Sequence, residues 1–119
     1  MSDIKKHIGS CHCGKVRYEV TTALQKVISC NCSICAKKGY LLAFVPEKDF
    51  TLLAGEETLT DYQFHQKKIH HLFCSVCGVS SFGKGVGSQG QNMYAVNVRC
   101  LDDVNLDTLA IVPFDGRSR

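Results

Sequence analysis

Residues 11–20, "CHCGKVRYEV", carry the two signals that decide the fold. Val16, Tyr18 and Val20 alternate with Lys15, Arg17 and Glu19, the period of two expected of a strand with one buried face. Just ahead of them, Cys11 and Cys13 sit two residues apart and Gly14 follows. A glycine there lets the backbone turn tightly or approach a neighbour closely. The chain therefore opens with a cysteine knuckle that feeds a half-buried strand.

The same pattern recurs downstream. "LQKVISC" (24–30), "YLLAFV" (40–45, stopped by Pro46), "FTLLAG" (50–55), "TLTDYQFH" (58–65) and "IHHLFC" (69–74) read as short strands. So do "VSSFG" (79–83), "NMYAVNV" (92–98) and "DTLAIVPF" (107–114). No segment sustains a helical period over a dozen residues, and Ser33–Lys38 offers one turn at most. Short apolar runs punctuated by glycine predict a compact, antiparallel all-β protein. "GKGVGSQGQN" (83–92), with four glycines, reads as a mobile loop or an exposed hairpin connection.

At 119 residues the chain suits one domain with a thin core. It is 45% hydrophobic, with six Phe, four Tyr and no Trp, and no apolar run reaches the roughly 20 residues that span a bilayer. The opening "MSDIKKHIGS" has no apolar segment after its charges, so a secretory signal is not expected and the cytoplasm is the expected compartment. Disulfides are disfavoured there. The eight cysteines, grouped as C-x-C, C-x-C-x-x-C and C-x-x-C, then point to metal more than to a disulfide framework.

Cys11 and Cys13 with Cys74 and Cys77 supply four thiolates on two knuckles, each followed by glycine, the donor set of a closed structural zinc site. Cys30, Cys32 and Cys35 have no such second pair. Either Cys100 completes a second four-thiolate site, or it is a small core residue and the fourth place is open to water or substrate. Iron–sulfur clusters compete in any cysteine-rich chain, but the common ferredoxin spacings are absent. The formal charge of +3 would be cancelled if seven thiolates held two Zn²⁺. The basic pairs Lys5-Lys6, Lys37-Lys38 and Lys67-Lys68 are scattered, so nucleic acid is not the expected partner.

"GSCHCGKVRYEV", "CNCSICAKKG", "FCSVCGVSSF" and "YAVNVRCLDDV", in this order, resemble the successive motifs of the glutathione-dependent formaldehyde-activating enzyme family, which includes centromere protein V-like proteins. The resemblance runs from about residue 7 to "FDGR", making residues 1–6 an N-terminal extension and 7–119 a single zinc-binding domain. It implies a compact Mss4-like β fold stabilised by zinc. It also implies a structural zinc on Cys11, Cys13, Cys74 and Cys77, and a reactive zinc on Cys30, Cys32 and Cys35. The implied activity is that of a carbon–sulfur lyase joining or parting a thiol and an aldehyde, with S-hydroxymethylglutathione as the namesake adduct.

The implied partners are therefore a small thiol and an aldehyde, with no membrane. The other readings are a non-catalytic zinc-binding interaction domain and a nucleic-acid-binding module. Lys37, Lys38 and Arg99 are the candidates for binding substrate carboxylates. His65, His70 and His71 are candidates for acid–base work, and His70 and His71 must face opposite ways on a strand. His12, between two ligands, should point away from its metal. Tyr40, Phe44, Phe64, Phe73 and Phe82 are expected in the core and in cleft walls.

Overall fold

The computed structural model describes residues 4–63, 69–87 and 89–115. β1 (Lys5–Ser10) and β2 (Arg17–Thr22) form an antiparallel hairpin, and β5 (Phe50–Ala54) pairs with the other edge of β2. These three strands make the smaller sheet. The larger one contains β3 (Lys26–Cys30), β4 (Leu42–Pro46), β6 (Leu59–Tyr62), β7 (His70–Cys74), β8 (Phe82–Val86), β9 (Asn92–Asn97) and β10 (Ala110–Phe114). Its order is β10-β3-β4-β9-β8-β7-β6. One short helix, α1 (Ser33–Lys38), joins β3 towards β4. The fold is thus mostly β with little helix, as the sequence predicts.

Two expectations need correction. The sheets are not wholly antiparallel, because β10 runs parallel to β3, from Ala110 beside Lys26 to Phe114 beside Cys30. Alternation in a sequence reports which face is buried, not which way the strand runs. A parallel neighbour needs a long crossover, and here everything between β3 and β10 provides it. Pro113 is tolerated because β10 is an edge strand. The second concerns residues 83–92: Gly83 to Val86 are not loop but belong to β8, between β7 and β9. The hairpin connection the sequence also offered does follow them, the Gly87 amide donating to the Gln91 carbonyl at 2.7 Å as β8 turns back into β9. A Cβ on Gly83 would come within 3.0 Å of the His70 carbonyl oxygen, so glycine serves close strand packing there.

The main core confirms the alternation in "KVRYEV". Val16, Tyr18 and Val20 are buried while Lys15 and Arg17 are exposed. Tyr18 packs between Phe50 and Phe82, with both ring centroids at 5.3 Å, and its hydroxyl donates to the Ser81 carbonyl at 3.3 Å. Rings of this kind bury large apolar area and fix each other's orientation. A smaller cluster of Ile34, Cys35 and Leu42, flanked by Ile28, Tyr40 and Ala95, seats α1 on the larger sheet. No helix among the described residues is long and apolar enough to cross a membrane.

Candidate metal centres and active site

The first centre is built where two knuckles meet. Cys11 follows β1, and the chain turns through Gly14 (φ 82°), whose amide donates to the Cys11 carbonyl at 3.3 Å. Cys74 ends β7, and the matching turn runs through Gly78 (φ 81°), whose amide donates to the Cys74 carbonyl at 2.8 Å. Both glycines adopt the left-handed conformation that costs other residues energy. Cys11, Cys13, Cys74 and Cys77 thereby bring four sulfurs within 4.8 Å of one another. Cys11 Sγ lies 3.6 Å from Cys13 Sγ, which lies 3.7 Å from Cys74 Sγ. Thiolates held at about 2.3 Å by a tetrahedral zinc are separated by about 3.8 Å, so the spacing fits that ion.

Electrostatics support the fit. Backbone N–H groups of Cys13 and Val79 hold the Cys77 thiol down to about 6, and those of Cys77 and Val76 lower Cys74. The Lys15 amide favours the Cys13 thiolate, yet desolvation and the three neighbouring sulfurs prevail and push Cys13 up to about 11. Four thiolates this close repel one another unless a cation sits among them. Cys11 and Cys74 are buried in the main core, so this centre is part of the packing.

The second centre lies where β3 passes into α1. Cys30 ends β3, Cys32 stands at the start of the helix and Cys35 lies within its first turn, which brings their sulfurs within 4.8 Å of one another. The Cys32 amide points at Cys30 Sγ across 3.5 Å. Burial alone would raise the Cys32 thiol, but nearby amides of Cys35 and Ile34 and the neighbouring thiols bring it below its ordinary value. Burial, then the adjacent sulfurs, pushes Cys35 up. Three thiols within that span are again a donor set that suits zinc. Among the described residues no fourth Cys, His, Asp or Glu joins this group. Cys100 stands apart, with its thiol directed to the Ser80 carbonyl at 4.0 Å.

Beside the three sulfurs opens a cavity of about 470 Å³. Sheet register explains its shape. Phe44 of β4 lies opposite Ala95 of β9, Ala95 opposite Gly83 of β8, and Gly83 opposite His71 of β7. These four residues form one row across the sheet, and all line the cavity. The two smallest stand in the middle, so the surface dips between Phe44 and His71. Ile28 and Leu42, also in register, carry the wall towards Cys30. Tyr40, Ile69 and Phe114 complete it, and Phe44, Ile69 and Phe114 remain 54%, 53% and 40% exposed.

The other sequence candidates fall in different places. Lys37 and Lys38 border a neighbouring depression with Ser33, Ile34, Tyr62 and Phe73, not the cavity beside the cysteines. Lys38 Nζ donates to Ser80 Oγ at 2.7 Å and lies 5.0 Å from the Phe73 ring centre. Arg99 sits exposed in the 3-10 turn Val98–Cys100 and does not line the cavity. Asp103 is engaged by His7 at 3.1 Å, and that hydrogen bond holds its carboxyl below the usual range. His70 and His71 do face opposite ways: His70 meets Asp61 at 2.6 Å, while His71 enters the cavity. His12 is exposed. Phe82 is in the core, and Tyr40 and Phe44 are cleft walls. Phe64, His65, Lys67 and Lys68 lie outside the described residues. Ile28, Leu42, Gly83 and Ala95 are not legible as cavity residues in the sequence, because only strand register brings them together.

Fold and site together define a β protein with two multi-cysteine centres, one in the core and one beside a cavity. The chain belongs to the glutathione-dependent formaldehyde-activating enzyme family, whose model matches residues 6–112. It is also similar to the crystal structure of a Rhodobacter sphaeroides protein, at 34% identity and a TM-score of 0.76, over 92% of this chain and 98% of that one.

Proposed function

We propose that the protein is a zinc-dependent carbon–sulfur lyase that forms and cleaves thiol–aldehyde adducts beside Cys30, Cys32 and Cys35. The observation that carries this reading is the three-sulfur group, without a fourth ligand among the described residues, at the wall of a ligand-sized cavity. Cys11, Cys13, Cys74 and Cys77 would hold a structural zinc, and the other three a reactive one. Zinc bound there supplies Lewis acidity that keeps a substrate sulfur as thiolate near neutral pH.

The remaining chemistry falls to the protein. In the forming direction the thiolate sulfur attacks the aldehyde carbon, the carbonyl electron pair moves to oxygen, and that oxygen takes a proton. In reverse, the hydroxyl loses its proton as the carbon–sulfur bond breaks and its electron pair returns to sulfur. His71, which lines the same cavity, would exchange that proton. Burial first, and then the Lys38 charge, lowers its pKa, so the imidazole is neutral at pH 7 and can accept. Ile28 and Leu42 would give the reacting atoms an apolar surround.

Thiols add to formaldehyde readily without a catalyst, so product alone tests nothing. Exchange NMR at equilibrium between free and adducted thiol is informative. Zinc-loaded protein should speed the exchange, while metal-free protein and Cys32→Ser should not. Equal rates in all three, across several thiols and aldehydes, would favour a non-catalytic interaction domain.

A further inference from the structure

We infer that the thiol accepted by this site is carried on an uncharged, apolar body, aliphatic or aromatic, and is not a multiply charged peptide thiol such as glutathione. The inference rests on the lyase reading and specifies its substrate class. Cys30, Cys32 and Cys35, which would hold the metal that anchors a thiol sulfur, line the cavity. The other walls are Ile28, Leu42, Phe44, Ala95, Ile69 and Phe114, with polarity only at Tyr40 and His71.

No Lys, Arg, Asp or Glu lines the cavity among the described residues. Among the described residues the candidate cations line other surfaces. Lys37 and Lys38 border the separate depression, and the Lys38 ammonium is held by Ser80 and Phe73. Glutathione would bring two carboxylates and an ammonium to a cavity whose described lining offers them no counter-charge, and burying unpaired charge is strongly unfavourable. An apolar thiol faces no such cost and gains from each group it buries. The dip over Gly83 and Ala95 gives such a group its seat.

The test is a binding measurement. Protein loaded with two Co²⁺ per chain is titrated with phenylmethanethiol, 2-mercaptoethanol and glutathione, following the sulfur-to-cobalt charge-transfer and d–d bands. Phenylmethanethiol should bind at least about tenfold more tightly than either of the others, the range one or two well-buried apolar groups provide. Ala95→Leu, which fills the dip, should weaken phenylmethanethiol about tenfold while leaving 2-mercaptoethanol and cobalt content unchanged. Phe44→Ala, at the exposed rim, should reduce the same preference and serves if the first variant fails to fold. Glutathione binding as tightly as phenylmethanethiol would overturn the inference and leave the lyase reading intact. If no thiol perturbs the cobalt of the fully loaded protein, the lyase reading itself falls.

Discussion

The Cys100 thiol points to the Ser80 carbonyl oxygen at 4.0 Å, and through that contact it is tied to the turn that follows the third cysteine motif. It belongs to neither sulfur group. Burial raises its pKa, as expected of a protonated thiol packed like a small apolar side chain. Cys100→Ala should therefore retain two zinc ions per chain by elemental analysis and lose about 1 kcal/mol of stability. Loss of one zinc would make Cys100 a ligand.

The two centres should respond differently to the loss of one sulfur. Cys74 is 1% exposed in the main core, and its sulfur meets Cys13 across 61 residues of chain. Cys74→Ser should lower the melting temperature by about 10 °C or more, because metal binding at such a site is also folding free energy. Cys32 stands at the head of a six-residue helix against a small satellite cluster. Cys32→Ser should keep the circular dichroism of the wild type and lose exchangeable zinc. Equal collapse in both variants would make the second centre structural as well.

Lys38 is expected to matter for stability and not for substrate. Lys38→Met removes the 2.7 Å bond to Ser80 and the charge over Phe73, at a cost of about 1 kcal/mol. Thermal melts should register that loss, while thiol affinity at the cobalt-loaded centre stays unchanged. A large drop in affinity confined to glutathione would restore Lys38 as a carboxylate-binding residue.

His71 gives the pH dependence its sign. Its pKa is lowered, so between the ordinary imidazole value and the folded one the unfolded chain binds a proton that the folded chain does not. Stability at neutral pH is lost as acidification passes through that window. Thiol–adduct exchange should fall on the same acid limb as the imidazole becomes charged. In His71→Gln, exchange should be slower at neutral pH and the acid limb should disappear. An unchanged acid limb would assign it to another group.

Much of this arrangement is legible in the sequence. Period-two alternation placed Val16, Tyr18 and Val20 inside, and paired cysteines followed by glycine announced the first centre. The count of three in the middle motif announced the second. Strand direction was not legible, because β10 buries its residues the same way whichever way it runs. Nor was the cavity, since Phe44, Ala95, Gly83 and His71 become neighbours only through register between strands distant in sequence. Gly83 looked like loop because a residue without a side chain carries no burial pattern.

A second zinc held by three protein sulfurs would keep one exchangeable place. Zinc K-edge X-ray absorption on protein loaded with two Zn²⁺ tests it directly, by counting sulfurs near 2.3 Å. Four sulfurs at one centre and three at the other predict an average below four per zinc, with a lighter oxygen or nitrogen scatterer making up the difference. Added phenylmethanethiol should raise the average to four and remove the lighter scatterer. Four sulfurs per zinc before any thiol is added, unchanged afterwards, would contradict the account.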